Sequence, residues 1–245
     1  FTRLRRRHRR PGVRVRGGGI KKTMINIHGI GWIKKNEYGC VMKDERFHYE
    51  ESEFDRLAKA GVFSYPFKNF KRLNKTSKLT CYAAALALKD AGVNYSPGKK
   101  QDIGIIGTSD SGSLQADIFY FKDYLDCGRI LGRGNLFIYT LPSSPLGEAV
   151  IHFGLQGPLF YTAAPEKSLL TLMTMASGMI SCDEAAGMLA GINSEQEAVY
   201  FVLMKDSVPG KDPLSDSSNI RAILGKNLSI SKMIRELSKF KKGEK

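Results

Sequence analysis

Short apolar segments rich in β-branched residues alternate with segments of helical period along this chain, and that alternation decides the fold class. Apolar side chains recur at three- and four-residue spacing over residues 77–91, and Gly92 follows as a typical helix stop. Strand-like patterns lie at 102–108, 159–164 and 197–204. This order of strands and helices predicts an α/β layered fold with a mixed, mostly parallel sheet.

The helical pattern over residues 167–182 is apolar nearly all round. It predicts a buried central helix, because a helix without a polar face lies inside a protein. The junction between the strand at 159–164 and this helix contains Glu166. A sharp turn here aims one side chain at the amino end of the helix, where free N–H groups favour negative charge. The same residues are also normal in an ordinary first helical turn, so the pattern alone leaves both interpretations open.

Basic charge is concentrated at the start of the chain. The sequence has 38 Lys and Arg against 24 Asp and Glu, a net charge of +14, but ten of the basic residues lie within 1–22, which hold no acid. We expect residues 1–23 to form a disordered basic extension that is absent from the native protein, with Met24 as the native start. After this extension we expect one domain over 24–225 and then a basic C-terminal helix or tail over 226–245. The body of the chain is nearly neutral and has no design for tracking phosphates.

Cysteine and glycine spacing give no sign of a metal or a cofactor. The four cysteines are far apart, with no C-x-x-C pair, so neither a zinc site nor a disulfide framework is indicated. The glycines that follow the strand at 102–108 lack the spacing of a nucleotide-binding loop. No apolar run approaches the roughly 18 residues of a membrane-spanning helix, and no secretory signal follows the Arg-rich start. We therefore expect a cytoplasmic protein without a cofactor.

Five segments carry a resemblance to a known family. They are Ile-His-Gly-Ile-Gly at 27–31, the Ala-rich helix ending in Ala-Gly at 83–92, the strand and small-residue loop at 102–112, Gly-Leu-Gln-Gly-Pro at 154–158 and Met-Leu-Ala-Gly at 188–191. In order and spacing, from 24 to about 225, they resemble the N-terminal domain of β-ketoacyl synthases in the thiolase superfamily. The resemblance implies a single N-terminal-type half of a thiolase-like fold.

In this register Glu166 stands where the family carries its acyl-accepting cysteine. The family needs a thiolate at that position, and a carboxylate cannot hold an acyl group as a thioester. The two catalytic histidines of the family belong to a second half that this chain lacks. The resemblance therefore implies no catalytic residue here. It implies a chain-length-factor-like subunit, of the type in which the cysteine is replaced, in bacterial type II fatty acid or polyketide (polyene-type) biosynthesis.

The resemblance also implies partners. In the family, the strand before the nucleophile pairs with its twin in a dimer, and the loop before the Gly-Pro turn approaches the acyl pocket of the partner. The corresponding candidates for interface or channel are Phe137, Ile138, Tyr139, Leu141, Leu146, Leu159, Phe160, Tyr161, Thr162 and Ala163. The expected partners are a full-length ketosynthase and, through the complex, an acidic acyl carrier protein. Basic residues suited to steering that carrier protein are Lys68, Lys71, Arg72, Lys75 and Lys78.

Two other functions remain open from the sequence. One is a divergent condensing or acyl-transfer enzyme that uses Glu166 as a base. The other is nucleic-acid binding through the Arg-rich segment 1–22, although that segment lacks interleaved aromatic residues and a recognition fold.

Overall fold

A mixed sheet organises the chain in the computed structural model, which describes residues 26–130, 132–163, 168–205, 214–215, 218–226 and 228–241. The strands are β1 (Asn26–Lys34), β2 (Glu37–Cys40), β3 (Glu45–His48), β4 (Ile103–Ser109), β5 (Leu159–Tyr161), β6 (Gly187–Asn193), β7 (Ala198–Met204) and β8 (Leu214–Ser215). The α-helices are α1 (Lys75–Ala91), α2 (Leu114–Asp126), α3 (Gly134–Phe137), α4 (Ser144–Phe153), α5 (Ser168–Ser181), α6 (Ser218–Leu224) and α7 (Ile230–Lys241). Short 3-10 helices lie at Glu51–Lys59, Phe70–Arg72 and Ile138–Thr140.

The strand order is β3-β2-β1-β7-β6-β4-β5, and β8 pairs with β1. The predicted α/β fold with a mixed sheet is confirmed, but the sheet is not mostly parallel. In the described part of the chain, parallel pairing joins β4 to β5 and β6, with one isolated parallel bridge between Gln101 and Leu155. The other strand pairs are antiparallel. Among them, β1, β2 and β3 form a meander, and β6 joins β7 through a tight turn in which Ser194 N–H donates to Glu197 O (2.8 Å). Short connections allow only antiparallel neighbours.

Helix α1 is the buried central helix of the structure. It includes the predicted helix at 77–91, and 13 of its 17 residues are buried. The Asn74 side chain caps its amino end by accepting from Ser77 N–H (2.9 Å), and Gly92 ends it with a φ of 74°. The sheet covers one side of α1, and α4 with the aromatic segment before α1 covers the other.

The prediction that the helix at 167–182 is the buried one is wrong. Helix α5 occupies that range and packs one side on the second face of the sheet, but Thr171, Thr174 and Met175 are exposed on its other side. Apolar composition alone did not show which helix has structure on both sides. Helix α7 lies at the predicted place. It packs in the same hydrophobic cluster as α5 and buries Ile230, Met233, Ile234 and Leu237. Within the described residues, no helix combines the length and apolar character needed to cross a membrane.

An aromatic cluster encloses His152 at the end of α4. The Phe67 ring stacks on the imidazole with centroids 3.9 Å apart, and Tyr65 and Phe63 lie at 4.4 and 5.3 Å. The Tyr65 hydroxyl donates to the backbone carbonyl of His152. Burial lowers the pKa of His152 from 6.5 to about 4, because the rings around it replace water that would stabilise the imidazolium.

This low pKa predicts a loss of stability in acid. The folded protein keeps His152 neutral, so its stability is complete above the ordinary histidine pKa of 6.5 and falls as the pH drops towards 4. The two phenols that face it, Tyr65 and Tyr95, stay protonated throughout this window, since burial raises the pKa of each. We expect His152→Gln to reduce the difference in unfolding free energy between about pH 7.5 and about pH 4.5 by about 2–3 kcal/mol.

Urea unfolding at the two pH values measures this difference. The exposed imidazole of His48 supplies the control, and His48→Gln should keep the acid sensitivity of the unaltered protein. Equal acid sensitivity in His152→Gln and the unaltered protein would contradict a buried neutral imidazole.

Candidate functional site

A cavity of about 430 Å³ lies at the carboxyl end of β4. Ser109, the last residue of β4, and Ser194, which follows the parallel strand β6, meet there. In open α/β sheets, ligands bind outside the carboxyl ends of such strands. The cavity is lined by the amino ends of α1 and α2, by α3 and the 3-10 helix after it, and by the β6–β7 turn. Its lining residues include Asn74, Thr76, Ser111, Gln115, Phe119, Asn135, Leu136, Pro142, Pro145 and Gln196.

Hydroxyl groups fix the loop between β4 and α2. The Ser109 hydroxyl donates to Gly112 O (3.2 Å) and lies 3.2 Å from the Tyr161 hydroxyl of β5. Gly112 has a φ of 60°, a left-handed conformation that a side chain disfavours. Ser113 donates to Asp117 (3.0 Å) one turn into α2. These contacts hold the amino end of α2 against the end of β5.

The segment at 137–141 forms another wall. Tyr139 and Leu141 line the cavity, whereas Phe137 and Ile138 are exposed to solvent. The Tyr139 hydroxyl donates to Arg72 O (3.3 Å), which ties this wall to the segment before α1. Burial raises the pKa of Tyr139 to about 12, so the phenol stays protonated at neutral pH.

The remaining predicted candidates occupy two environments. Leu146 is buried in the core beneath the cavity, where its methyl groups lie against Gly107. Leu159 and Phe160 of β5 are exposed, Tyr161 and Thr162 are half-buried, and Ala163 is exposed. The structure thus brings Tyr139 and Leu141 together at one site and leaves Leu159 and Phe160 on an edge of the sheet. Glu166 lies outside the described residues, so its assignment to the cysteine position stays a prediction.

The cysteines that the structure describes do not form a nucleophilic site. Burial raises the pKa of the Cys40 thiol to about 12 and holds that of Cys81 well above its usual range. Cys127 and Cys182 are exposed just beyond the carboxyl ends of α2 and α5. Within the same ranges, no three His, Cys, Asp or Glu side chains are placed to hold a metal ion.

The two edges of the sheet differ in chemistry. At one edge, β3 presents mostly charged and polar side chains, among them Glu45 and Arg46, together with the exposed Phe47. At the other edge, β5 pairs only with β4 among the described residues, and it exposes 37% of Leu159 and 44% of Phe160. Charged residues protect an edge strand from pairing with another chain, and apolar ones invite it.

Helix α2 adds to this apolar surface, and the sequence analysis missed it. All of its residues are described, and none is buried. Leu114, Ile118, Phe121 and Leu125 are exposed at spacings of four, three and four residues. This spacing could have identified an apolar side of α2 that packs against another element, but it does not show whether that element belongs to this chain or to a partner.

No family model and no curated protein matches this sequence. Among solved structures, the chain is similar to the ishigamide ketosynthase/chain length factor, with 14% identity and a TM-score of 0.56 over 78% of this chain and 64% of that one. A β-ketoacyl synthase from Burkholderia phymatum shares 15% identity over 75% of this chain and 59% of that one, with a TM-score of 0.52.

A third structure is a type II polyketide synthase acyl carrier protein in complex with its ketosynthase bound to the hexaketide. It shares 11% identity over 74% of this chain and 58% of that one, with a TM-score of 0.52. This chain therefore spans about three fifths of the length of the solved structures that it matches. These likenesses, together with the mixed α/β sheet, show that the chain has the thiolase-like fold of ketosynthases.

Proposed function

We propose that this chain is a non-catalytic, chain-length-factor-like subunit that pairs with a β-ketoacyl-acyl carrier protein synthase. The pathway would be type II fatty acid or polyketide biosynthesis of the polyene type. The observation that carries the proposal is the open apolar edge of β5 in a chain of ketosynthase fold. The named neighbours, which include a ketosynthase/chain length factor, support it.

The proposed pairing surface combines the edge strand β5, the exposed side of α2, and Phe137 with Ile138. Strand β5 and helix α2 lie side by side. Gly112, just before α2, is close to the end of β5, since a Cβ atom placed on it would lie 3.7 Å from the Tyr161 hydroxyl. Helix α2 in turn packs on α3 and the 3-10 helix that follows. Exposed apolar side chains grouped in this way are typical of an interface, because association removes them from water.

The exposed pair Phe137 and Ile138 would cap the acyl channel of the partner. Both lie on the segment that, by resemblance, approaches the acyl pocket of the other subunit, and neither is needed for the core of this chain. The buried thiols of Cys40 and Cys81 supply no thiolate to carry an acyl group, because burial raises the pKa of each. The contribution of this subunit would therefore be structural: it stabilises the catalytic partner and closes its channel.

An acyl carrier protein would reach the complex along the basic segment before α1. No acidic residue occurs between Asp55 and Asp90, and Lys68 and Lys71 are exposed within that stretch. A surface that carries basic but no acidic side chains raises the association rate of an acidic partner.

Phe160→Asp should weaken pairing. The substitution places a charge in the centre of an apolar interface, and we expect at least about a tenfold loss of affinity for the ketosynthase. The measurement is co-purification of a tagged chain from its native cells, with the captured proteins identified by mass spectrometry and their affinity measured on the purified pair.

Phe47→Asp is the matched control. Phe47 lies on the opposite edge strand β3 and is 40% exposed, close to the 44% of Phe160. The two variants therefore differ mainly in which edge of the sheet carries the new charge. The control should retain the partner. Recovery of the unaltered chain as a monomer or homodimer, with no ketosynthase, would contradict the proposed function.

A further inference from the structure

The cavity beside β4 has a positively charged wall. Arg72 and Lys75 both line it, and both side chains are exposed. Neither forms an ion pair with any residue that the structure describes. Glu195 is the one acidic residue among the described lining residues. The cavity therefore presents two cations that are not held in ion pairs with described residues, and a single described carboxylate.

Another part of the cavity lining is apolar and in contact with water. Phe119 is 58% exposed and Leu141 is 52% exposed, although both line the cavity, and Leu136 and two prolines continue the surface. Apolar side chains of this size gain free energy when a ligand removes them from water. A volume of about 430 Å³ falls within the range of about 300–1,000 Å³ that is typical of ligand sites.

Polar side chains also line the cavity. Ser111, Gln115 and Asn135 offer hydroxyl and amide groups to a ligand. The hydrogen bond from the Tyr139 hydroxyl to Arg72 O ties the segment that carries Leu141 to the segment that carries the two cations. The lining therefore combines cationic, hydrogen-bonding and apolar side chains.

We propose that this cavity binds an anionic amphiphile, a molecule with an apolar chain and one carboxylate or phosphate end. The anionic end lies between Arg72 and Lys75, where a guanidinium can make two parallel hydrogen bonds to a carboxylate or phosphate. The apolar chain lies against Phe119, Leu136 and Leu141. The residues that carry this proposal, namely the two cations and the three apolar side chains, all belong to this chain.

Binding of decanoate, decyl phosphate and decanol to the full chain, measured by isothermal titration calorimetry below micelle-forming concentrations, tests the site. We expect at least one of the two anions to bind one site about tenfold or more tightly than decanol, since a charge-assisted hydrogen bond is lost with the alcohol. The tighter anion identifies the source, a carboxylate or a phosphate monoester. Equal binding of the three probes, or no binding of either anion, overturns the proposal.

Two double variants locate the anion. Arg72→Gln with Lys75→Gln should bring the affinity for the anion down to that for decanol. Lys68→Gln with Lys71→Gln removes the same charge from the same exposed stretch but leaves the cavity lining intact, so it should bind as the unaltered chain does. Equal losses in the two double variants would show general charge attraction and overturn the site. Retained pairing with a ketosynthase in the first variant separates this result from any failure of the proposed function.

Discussion

Gly31→Ala is expected to leave the chain unfolded or to lower its free energy of unfolding by more than about 4 kcal/mol. Gly31 lies in β1 directly beneath α1. A Cβ atom there would stand 2.1 Å from Ala87 N and 2.3 Å from Ala83 O. Both are backbone atoms of the central helix, so no side-chain rotation relieves the overlap, and either α1 or β1 has to move.

The movement would disturb both sides of the molecule. Helix α1 is buried between the sheet and the aromatic segment, and β1 pairs with β2, β7 and β8. Close-packed interiors accommodate a displaced element poorly, because every neighbour loses contacts at once. The substitution therefore acts on the whole fold and not on one contact.

Gly147→Ala is the matched control. Gly147 lies in helix α4, and a Cβ atom there meets no other atom within 4 Å. We expect it to leave stability unchanged or to raise it by about 0.5–1 kcal/mol, since alanine loses less backbone entropy than glycine in a helix. Urea unfolding followed by circular dichroism measures both variants. A Gly31→Ala protein as stable as Gly147→Ala would refute the packing of α1 on β1.

Asp90→Ala should lower the free energy of unfolding by about 3–5 kcal/mol. Asp90 is fully buried near the end of α1. Its carboxylate accepts backbone N–H groups of Ile30 (2.8 Å), Met42 (2.9 Å) and Lys43 (2.9 Å). It thus joins α1 to β1 and to the turn between β2 and β3, and its removal leaves these donors without their acceptor.

Asp90→Asn distinguishes hydrogen bonding from packing. The amide has nearly the shape of the carboxylate, but one of its oxygens becomes an N–H₂ group that faces a donor, so we expect most of the loss to remain. Asp102→Ala is the control, because the exposed Asp102 carboxylate accepts one backbone N–H, from Ala186 (3.1 Å). It should cost about 1 kcal/mol or less. Thermal unfolding followed by circular dichroism ranks the three proteins, and equal losses for Asp90→Ala and Asp102→Ala would contradict the role of Asp90.

Local signals in the sequence predicted the main elements. The α1 helix, β4 and β7 lie within a few residues of their predicted places, because periodicity, Gly92 and runs of β-branched residues act over short distances. The direction of strand pairing did not follow from them. The 3-10 helix at Glu51–Lys59 and the β2–β3 hairpin also escaped prediction, since their short segments carry weak apolar patterns.

The cavity could be predicted only in part. Its lining comes from segments around 72–76, 109–119, 135–145 and 194–196, which are far apart in the sequence and meet only through the sheet. The family resemblance identified Tyr139 and Leu141, but nothing local placed Arg72 beside them. The exposure of α2 was equally invisible, because an apolar helix stripe looks the same whether it faces a core or a partner.

The unequal edges of the sheet also set a limit on the size of any assembly. A sheet with two open edges can be extended at both, and copies can add without end to make a fibre. Here β3, with mostly charged and polar side chains, protects one edge, and among the described strands β5 is the edge left open to strand addition. If two such sheets join through β5 as proposed, the combined sheet ends in protected edges on both sides. Strand addition would then stop at two subunits.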